Sequence, residues 1–505
     1  MESFVSLSDL VSSMNGKPST NQWDIVCSYT VAQLNQFLQT QYDAGKLAKE
    51  VHLSTERQDP LMGTDFTISY DIQFASPKLG FISGRSGFAT LTMLIKDGSS
   101  YSVTLKGATT PTKTVSIPGG KYSVKAVVPL AAIRGDTGEI KEQGNIIEFS
   151  DCGSHDNHVI IHFKNEKGTS YEIVPEPDPQ DKDTLVTYFL PVLKQYFQTE
   201  INEIDYAVST VNNSQPTSGL SVFTPKSFAF ASIGDDHSGV LSLYIQTSES
   251  NNPPGNASPS FQPGDSQVSP IPESYTASII LSYDLITKAF LKPQLEKSGF
   301  TVSFDTVSDG ISAQLTEDSS VVAPSKDGNY IFFGYSYDGL NITLKDYPLN
   351  LVIKQGKLSL HWEGKTTSGW SQNEAGVVGG AGGYQYGYVD ITIDLNKGPI
   401  NLSLSNDNAT IANITISRSD FSIHTKAKSC RWYETAFAGC MEFYPSYYSN
   451  DMQLSIPSMN VALHGFDFFR TTNLLAPGKH IIEVDANAGI STPHDFLIVG
   501  QVAKQ

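Results

Sequence analysis

The sequence predicts an α+β fold of two related halves, each opening with a strand that runs into a helix and continuing as antiparallel sheet. Three observations carry this. Ile25-Val26-Cys27-Ser28-Tyr29-Thr30 returns as Ile279-Ile280-Leu281-Ser282-Tyr283-Asp284 at a constant offset of 254 positions, and fixed-offset self-similarity marks repeated architecture. Long stretches alternate apolar and polar residues with period two, the pattern of a strand with one covered face. Only 17% of the 505 residues are charged, against roughly 25% in ordinary domains, while Ser, Thr, Asn, Gly and Tyr abound, as on sheet surfaces.

A helix follows each copy. In the first, Thr30 and Gln33 fit a capping box. Leu34, Phe37, Leu38 and Tyr42 then share a face, and Gly45 supplies a left-handed stop. In the second, Ser282 can cap, and Ile286, Phe290, Leu291 and Leu295 recur at three- and four-residue steps. Ser298-Gly299 would end it, and Pro293 would bend it because it lacks a donor. Two readings of these faces stand side by side. The helices pack on two sheets as ordinary core, or their faces line a shared tubular cavity. On the second reading the lipid-binding set is Leu34, Phe37, Leu38, Phe290, Leu291 and Leu295.

Residues 1–20 are polar and read as loosely held. Asp65 to Phe74, Ala89 to Ile95, Tyr101 to Leu105 and Val159 to Phe163 read as strands between turns such as Asp97-Gly98 and Pro118-Gly119-Gly120. A second helix follows Pro175 to Asp183, with Leu185, Phe189, Leu193, Phe197 and Ile201 at four-residue steps. Pro191 either kinks it or sits in its first turn. Strands resume at Ser227 to Ile233 and Val240 to Gln246.

Residues 248–273 hold six Pro and six Ser and almost no large apolar residue. Such a stretch buries too little surface to offset its ordering entropy. It reads as a linker, with a surface loop inside one domain as the alternative. The predicted organisation is thus 1–247 (helices at about 30–44 and 185–205), the 248–273 linker or loop, and 274–505. In the last part Tyr330 to Tyr335, Leu340 to Leu344, Leu358 to Trp362, Tyr388 to Leu395, Ile400 to Leu404 and Ile411 to Ile416 read as strands. Gly379 to Gly383 reads as a hairpin loop, and Asn396-Lys397-Gly398-Pro399 as a short turn.

A net charge of -18 argues against nucleic acid as a partner, since phosphate contacts need clustered Lys and Arg. The N-terminus lacks a basic region followed by an apolar core, so no signal peptide is expected. No window is apolar enough for a transmembrane helix. The expectation is cytoplasmic synthesis, with any release by a non-classical route. Of the four cysteines, Cys27, Cys152, Cys430 and Cys440, the last two either pair or remain free thiols. None has the spacing of a zinc site, and neither metal nor cofactor is expected. No GxSxG, HExxH, Walker A or Rossmann pattern occurs. His361 and Glu363 share a strand face and read as a surface pair. Asp235-Asp236-His237 reads as a hairpin tip without the spaced ligands of a calcium loop. The expectation is a protein without enzymatic activity.

Gln22-Trp23-Asp24-Ile25-Val26 and the Asn- and Gln-containing helix after it resemble the start of the clostridial P-47 proteins, which belong with the OrfX proteins encoded beside botulinum-type neurotoxins. Ile204 to Val211 and Phe290 to Leu295 are similar to that family's internal blocks, as are Thr472 to Gly478 and Pro493 to Gly500 to its tail. The blocks span most of the chain, and their order is what makes the match specific. The chain is longer than a typical clostridial member, with the Pro/Ser segment as an insertion. The resemblance implies the tubular lipid-binding (TULIP) superfamily: two halves, each a long helix wrapped by a highly curved antiparallel sheet around an apolar channel. It also implies a lipid or other hydrophobic ligand, a membrane surface or toxin-complex proteins as partners, and a toxin-associated or insecticidal role. That family carries no established catalytic motif. A closed-cavity protein scaffold and a β-rich pore-forming toxin are the alternatives.

Overall fold

The structure is a computed structural model. It describes residues 4–503 except 60, 62, 136–137, 150–155, 216–220, 251–253, 264–267, 298, 306–309, 316–319, 331–332, 375–383, 403–415, 429–452, 455–468 and 476–481. The described residues are mainly antiparallel sheet with a few helices. Two compact units emerge, Met1–Leu285 with His464–Gln505 and Ile286–Ser405 with Thr410–Leu463. The division falls at Leu285/Ile286 rather than within 248–273, and the C-terminal segment returns to the first unit.

The first unit is organised on strand β1 (Ile25–Thr30). Among the described residues its sheet has eight strands, in the order Ile147–Glu148, Pro225–Ile233, Val240–Thr247, β1, Ala277–Leu281, Phe496–Val502 and Ile482–Val484, with Ile490–Ser491 also on Phe496–Val502. The two copies of the repeat therefore lie side by side in one sheet instead of opening two. Their register is Ile25↔Leu281, Val26↔Ile280 and Cys27↔Ile279. Ile280 is the equivalent of Val26 at the 254-residue offset, so a local two-fold axis passes through that pair. Exchanging the copies turns Ile25↔Leu281 into Cys27↔Ile279.

Every residue of β1, Val240–Thr247 and Ala277–Leu281 is buried. An antiparallel sheet with one wet face alternates, whereas one covered on both faces reads as continuous apolar runs. One face carries Val26, Ile280, Tyr244, Leu497 and Val499, packed against Trp23, Phe261 and helix α1 (Leu7–Met14) through Leu10 and Met14. Of the segment 1–20, the described residues from 4 onward are thus not loosely held. Ser6 Oγ caps α1 by accepting from the Asp9 N–H at 3.2 Å, and two apolar residues four apart fasten the helix to the sheet. The described part of 248–273 packs on the same unit: Trp23 Nε1–H donates to the Asn256 carbonyl at 3.1 Å, and Phe261 and Ile271 are buried. Its prolines narrow the unfolded ensemble, which lowers the entropy lost on ordering.

Two further sheets complete this unit. One runs Leu474–Leu475, Ala207–Asn212, Asp156–Ile161, Ser123–Arg134, Phe88–Leu94 and Lys78–Phe81, with Ser170–Val174 and Ile140–Glu142 also on Ser123–Arg134. The other runs Glu50–Gln58, Asp65–Gln73, Ser100–Leu105 and Lys113–Ser116. The second predicted helix is one helical path, α over Pro179–Lys182, π over Asp183–Phe189 and α over Leu190–Thr199. It starts earlier than 185 and stops before Ile201. Pro191 stands in the first turn of the last segment, directly after the π turn. The same arrangement recurs at Leu285–Leu291 before Pro293 in Lys292–Lys297. A proline in a helix leaves a carbonyl without its donor, and a widened turn beside it relieves the clash.

In the second unit a sheet runs Phe300–Asp305, Gly310–Leu315, Leu349–Lys354, Lys357–Glu374, Phe333–Tyr337 and Lys326–Tyr330. Tyr384–Asn401 pairs along Lys357–Glu374 and carries Phe421–Lys428 on its far side. Asn396 to Pro399 is therefore not a turn. The strand continues through it, with a register shift between Leu358 and Leu360. Gly398 takes φ +122 there, and a Cβ would lie 2.8 Å from the Leu358 carbonyl oxygen, so the irregularity requires glycine. The Gly379 to Gly383 loop, Cys152, Cys430, Cys440 and residues 411–415 lie outside the described residues.

Candidate hydrophobic-ligand positions

Helix α2 (Val31–Asp43) follows β1 directly. Thr30 Oγ1 accepts from the Gln33 N–H at 3.3 Å, which satisfies one of the first-turn donors. Gly45 at φ +76 follows its end. The helix lies against Lys78–Phe81, β1 and Ala207–Asn212. Asn35 holds it there by pairing both ends of its amide with the Leu79 backbone, Nδ2–H to O at 2.9 Å and N–H to Oδ1 at 2.6 Å. The Tyr42 hydroxyl donates to the Phe74 carbonyl at 2.7 Å. Leu34, Phe37 and Leu38 all sit on the buried side, none more than 2% exposed.

In the second helix Ser282 Oγ accepts from the Leu285 N–H at 3.1 Å. Within the second unit the helix packs on Phe300–Asp305. Phe290, Leu291 and Leu295 are buried. Each triad is gathered within its own unit, and each offers only hydrocarbon. Such a surface binds by burial alone, at about 0.8 kcal/mol per methylene.

Sequence spacing missed the aromatic packing around the π-containing helix. Phe189 meets Tyr70 at 5.0 Å between ring centres, and Phe197 meets Phe163 at 4.9 Å. Tyr206 closes edge-on over Phe163 at 5.1 Å. These rings come from segments far apart in the chain, and only their even distribution over predicted strands and helix hinted at them.

Polar groups inside the first unit serve the fold. Glu203 is buried, with Oε1 accepting from the His162 ring at 2.9 Å and the Lys164 N–H at 2.9 Å. Burial pulls its carboxyl upward, but these hydrogen bonds and the neighbouring charges hold it below the usual glutamate value. Asp495 accepts from the Ser19 and Tyr283 N–H groups at 2.6 and 2.9 Å. For Asp495 burial prevails and the carboxyl is raised. Burial pushes the free Cys27 thiol up to about 12, so it is a poor nucleophile in the folded state. The Asp235 carboxylate is consumed by its own turn, accepting from the His237 and Ser238 N–H groups. Among the described residues no group of three or more His, Cys, Asp or Glu could hold a metal ion.

On the second unit a polar concavity of about 480 Å³ crosses three strands, lined by Lys365, Thr367, Asp390, Thr392, His424 and Lys426 among others. Its charges are paired locally: Lys365 with Glu363, and His424 with Asp394 at 3.2 Å. His361 bonds Asn396 at 2.8 Å, so His361 and Glu363 each have a structural partner. No helix among the described residues is long and apolar enough to cross a membrane.

No family model and no curated protein matches the chain. Among solved structures, P47 from Clostridium botulinum A2 is similar at TM-score 0.50 and 13% identity, over 96% of this chain and 98% of that one. P47 of Clostridium botulinum E1 follows at 0.46 and 14%, over 96% and 100%, and a lipopolysaccharide binding protein at 0.23 and 10%, over 95% and 99%. The last two scores carry no structural argument. The first covers nearly the whole of both chains, and on that likeness this chain has the fold of a P47 protein.

Proposed function

We propose that this chain is a non-enzymatic protein that binds hydrophobic molecules or membranes, built as two TULIP-like halves and serving a toxin cluster as an accessory or acting on insects itself. The observation that carries the reading is the P47 fold together with helix α2, whose buried side carries Leu34, Phe37 and Leu38 beside the buried Gln33 and Gln41. The sequence resemblance to the P-47 and OrfX proteins supports the toxin-cluster setting. The guest would be an acyl chain or similar hydrocarbon lying along the buried helix faces of Leu34, Phe37 and Leu38 and of Phe290, Leu291 and Leu295. The polar groups bonded within the first unit would take no part in chemistry.

The test is solvent extraction of the purified protein followed by mass spectrometry of the extract. A stoichiometric lipid that survives extensive washing is expected. Repeated recovery of lipid-free protein that also takes up no added fatty acid would leave a filled core and a role through protein partners.

A further inference from the structure

In the first unit, the sheet that runs from Leu474–Leu475 to Lys78–Phe81 buries one face. Along Ser123–Arg134 that face presents Val124, Ala126, Val128, Leu130 and Ala132, none more than 1% exposed, while Ser123, Lys125 and Val127 between them are only half-buried. Helix α2 lies against strands near both ends of this sheet, Ala207–Asn212 and Lys78–Phe81. Register carries the face on across Asp156–Ile161 and Ala207–Asn212: Ala132 pairs with Val159 and Val159 with Ser209, and Asn157 stands two residues along from Val159. On these three strands the buried face is apolar except at Asn157, Ser209 and the strand-end Arg134.

Asn157 and Ser209 are 1% and 0% exposed. Unlike Glu203 and Asp495 they are not bonded: Asn157 Oδ1, Asn157 Nδ2 and Ser209 Oγ are each buried without a hydrogen-bond partner. Among the described residues Asn157 alone has both ends of its side chain orphaned, so exchanging the amide's oxygen and nitrogen does not rescue it. On the opposite face of the same two strands the polar pair is satisfied, with the His158 ring and Thr210 Oγ1 bonded at 2.8 Å. Buried polar groups are nearly always paired, and an orphan calls for a partner from outside the chain. Asn157 and Ser209 are diagonal neighbours on an antiparallel pair, about 7 Å apart, so one small group can meet both. Arg134, in register with Asn157, is half-buried and already engaged.

We propose that Asn157 and Ser209 hold the head of a single-chain amphiphile whose tail lies in the first unit, the head being a small uncharged group that donates and accepts hydrogen bonds side by side, as a primary carboxamide does. This rests on the hydrophobic-guest reading above and names the class of guest. The Asn157 amide offers a donor and an acceptor next to each other, and the Ser209 hydroxyl offers either. A carboxamide head matches them: its N–H donates to Asn157 Oδ1, and its carbonyl oxygen accepts from Asn157 Nδ2–H and Ser209 Oγ–H. A plain hydrocarbon leaves all three atoms unpaired, which burial penalises. An ester accepts but does not donate, so Asn157 Oδ1 stays orphaned. An ionised headgroup would exchange its hydration for two neutral partners, at a far larger penalty.

The experiment offers the full chain an equimolar mixture of oleamide and methyl oleate from phosphatidylcholine vesicles, re-isolates the protein and reads the bound guests by native mass spectrometry. The two probes share one chain and differ in the head's ability to donate. Wild type is expected to carry oleamide in preference, and the ratio of the two guests to fall about tenfold in Asn157→Leu and severalfold in Ser209→Ala, each with an unchanged far-UV spectrum. Ser209→Ala removes a single oxygen, so it decides alone should Asn157→Leu fail to fold. A ratio that ignores both changes, or phosphatidylcholine recovered in place of either probe, would overturn this head-group site while leaving a hydrophobic guest in place. Recovery of guest-free wild type would overturn both.

Discussion

Phe37→Ala separates a hollow interior from a filled one. Phe37 is 2% exposed on the inner side of α2, so in a solid core its truncation costs about 3–5 kcal/mol. About 1.5–3 kcal/mol of that is the transfer of the ring from water. The remainder comes from the space left behind, which the surroundings only partly fill. An acyl chain lying against α2 can settle into that space, so lipid-loaded protein should lose only about the transfer part. The readout is urea-dependent labelling of Cys27, followed by peptide mass spectrometry. Cys27 is fully buried, and its thiol pKa is pushed up to about 12, so it labels only when the first unit opens. The expected result is a loss near the upper range in stripped protein and a smaller one after loading with fatty acid. An identical loss in both states refutes a guest at Phe37, and a loss below about 1 kcal/mol in stripped protein refutes the packing itself.

Glu203→Gln should cost about 1–3 kcal/mol at neutral pH, because the hydrogen bonds from His162 and the Lys164 amide then reach a neutral acceptor. Glu203 is held below 4.5 in the folded state, so its contribution is present above that value and fades as pH falls through the lowered one. The gap between wild type and variant in urea unfolding should therefore close in acid. Asp495 works in the opposite sense: its folded value is raised above 3.8, so its contribution is full below 3.8 and is lost as pH rises through the raised value. Asp495→Asn should lack that acid-side gain when unfolding is followed from pH 6 downward, about a unit at a time. Gly398→Ala must place a Cβ 2.8 Å from a backbone oxygen at φ +122, which should cost about 1–3 kcal/mol. Faster amide exchange confined to Tyr384–Asn401 and its neighbours would show it.

Much of the β-structure was legible because period two survives wherever one face is covered. Asp65–Gln73, Phe88–Leu94 and Ser100–Leu105 fall where alternation placed them. What misled was composition taken without its neighbours. Residues 1–20 look polar, yet Leu10 and Met14 sit four apart and bury completely. The Pro/Ser stretch looks like a linker, yet Phe261 and Ile271 anchor its described part. Asn396 to Pro399 has turn chemistry, but twelve paired residues before it and two after it override it, and the glycine serves a bulge. For the candidate site, spacing identified which side of each helix is buried. It could not tell whether that side meets protein or a guest, because both present hydrocarbon.

The repeat was visible in sequence for a physical reason that the register explains. Two-fold pairing centred on Val26↔Ile280 places both copies where each strand is covered on both faces. Every position there has little tolerance for a change of volume or polarity. A slip of one residue would move Val26 and Ile280 off the face they share with α1 and break the buried contact between Ser28 Oγ and Ser242 Oγ, 2.8 Å apart. The axis relates Ser28↔Ser278 to the contact of Ser282 with Asp24, and here the copies part. Ser282 N–H donates to the Asp24 carbonyl at 2.8 Å, while the Asp24 carboxylate accepts from the Thr247 N–H at 2.8 Å. A serine stands at one of these related places and an aspartate at the other because one meets a strand interior and the other a strand end. The similarity therefore stops at the residues the two-fold pairing buries, and it stops there because the flanks do different work.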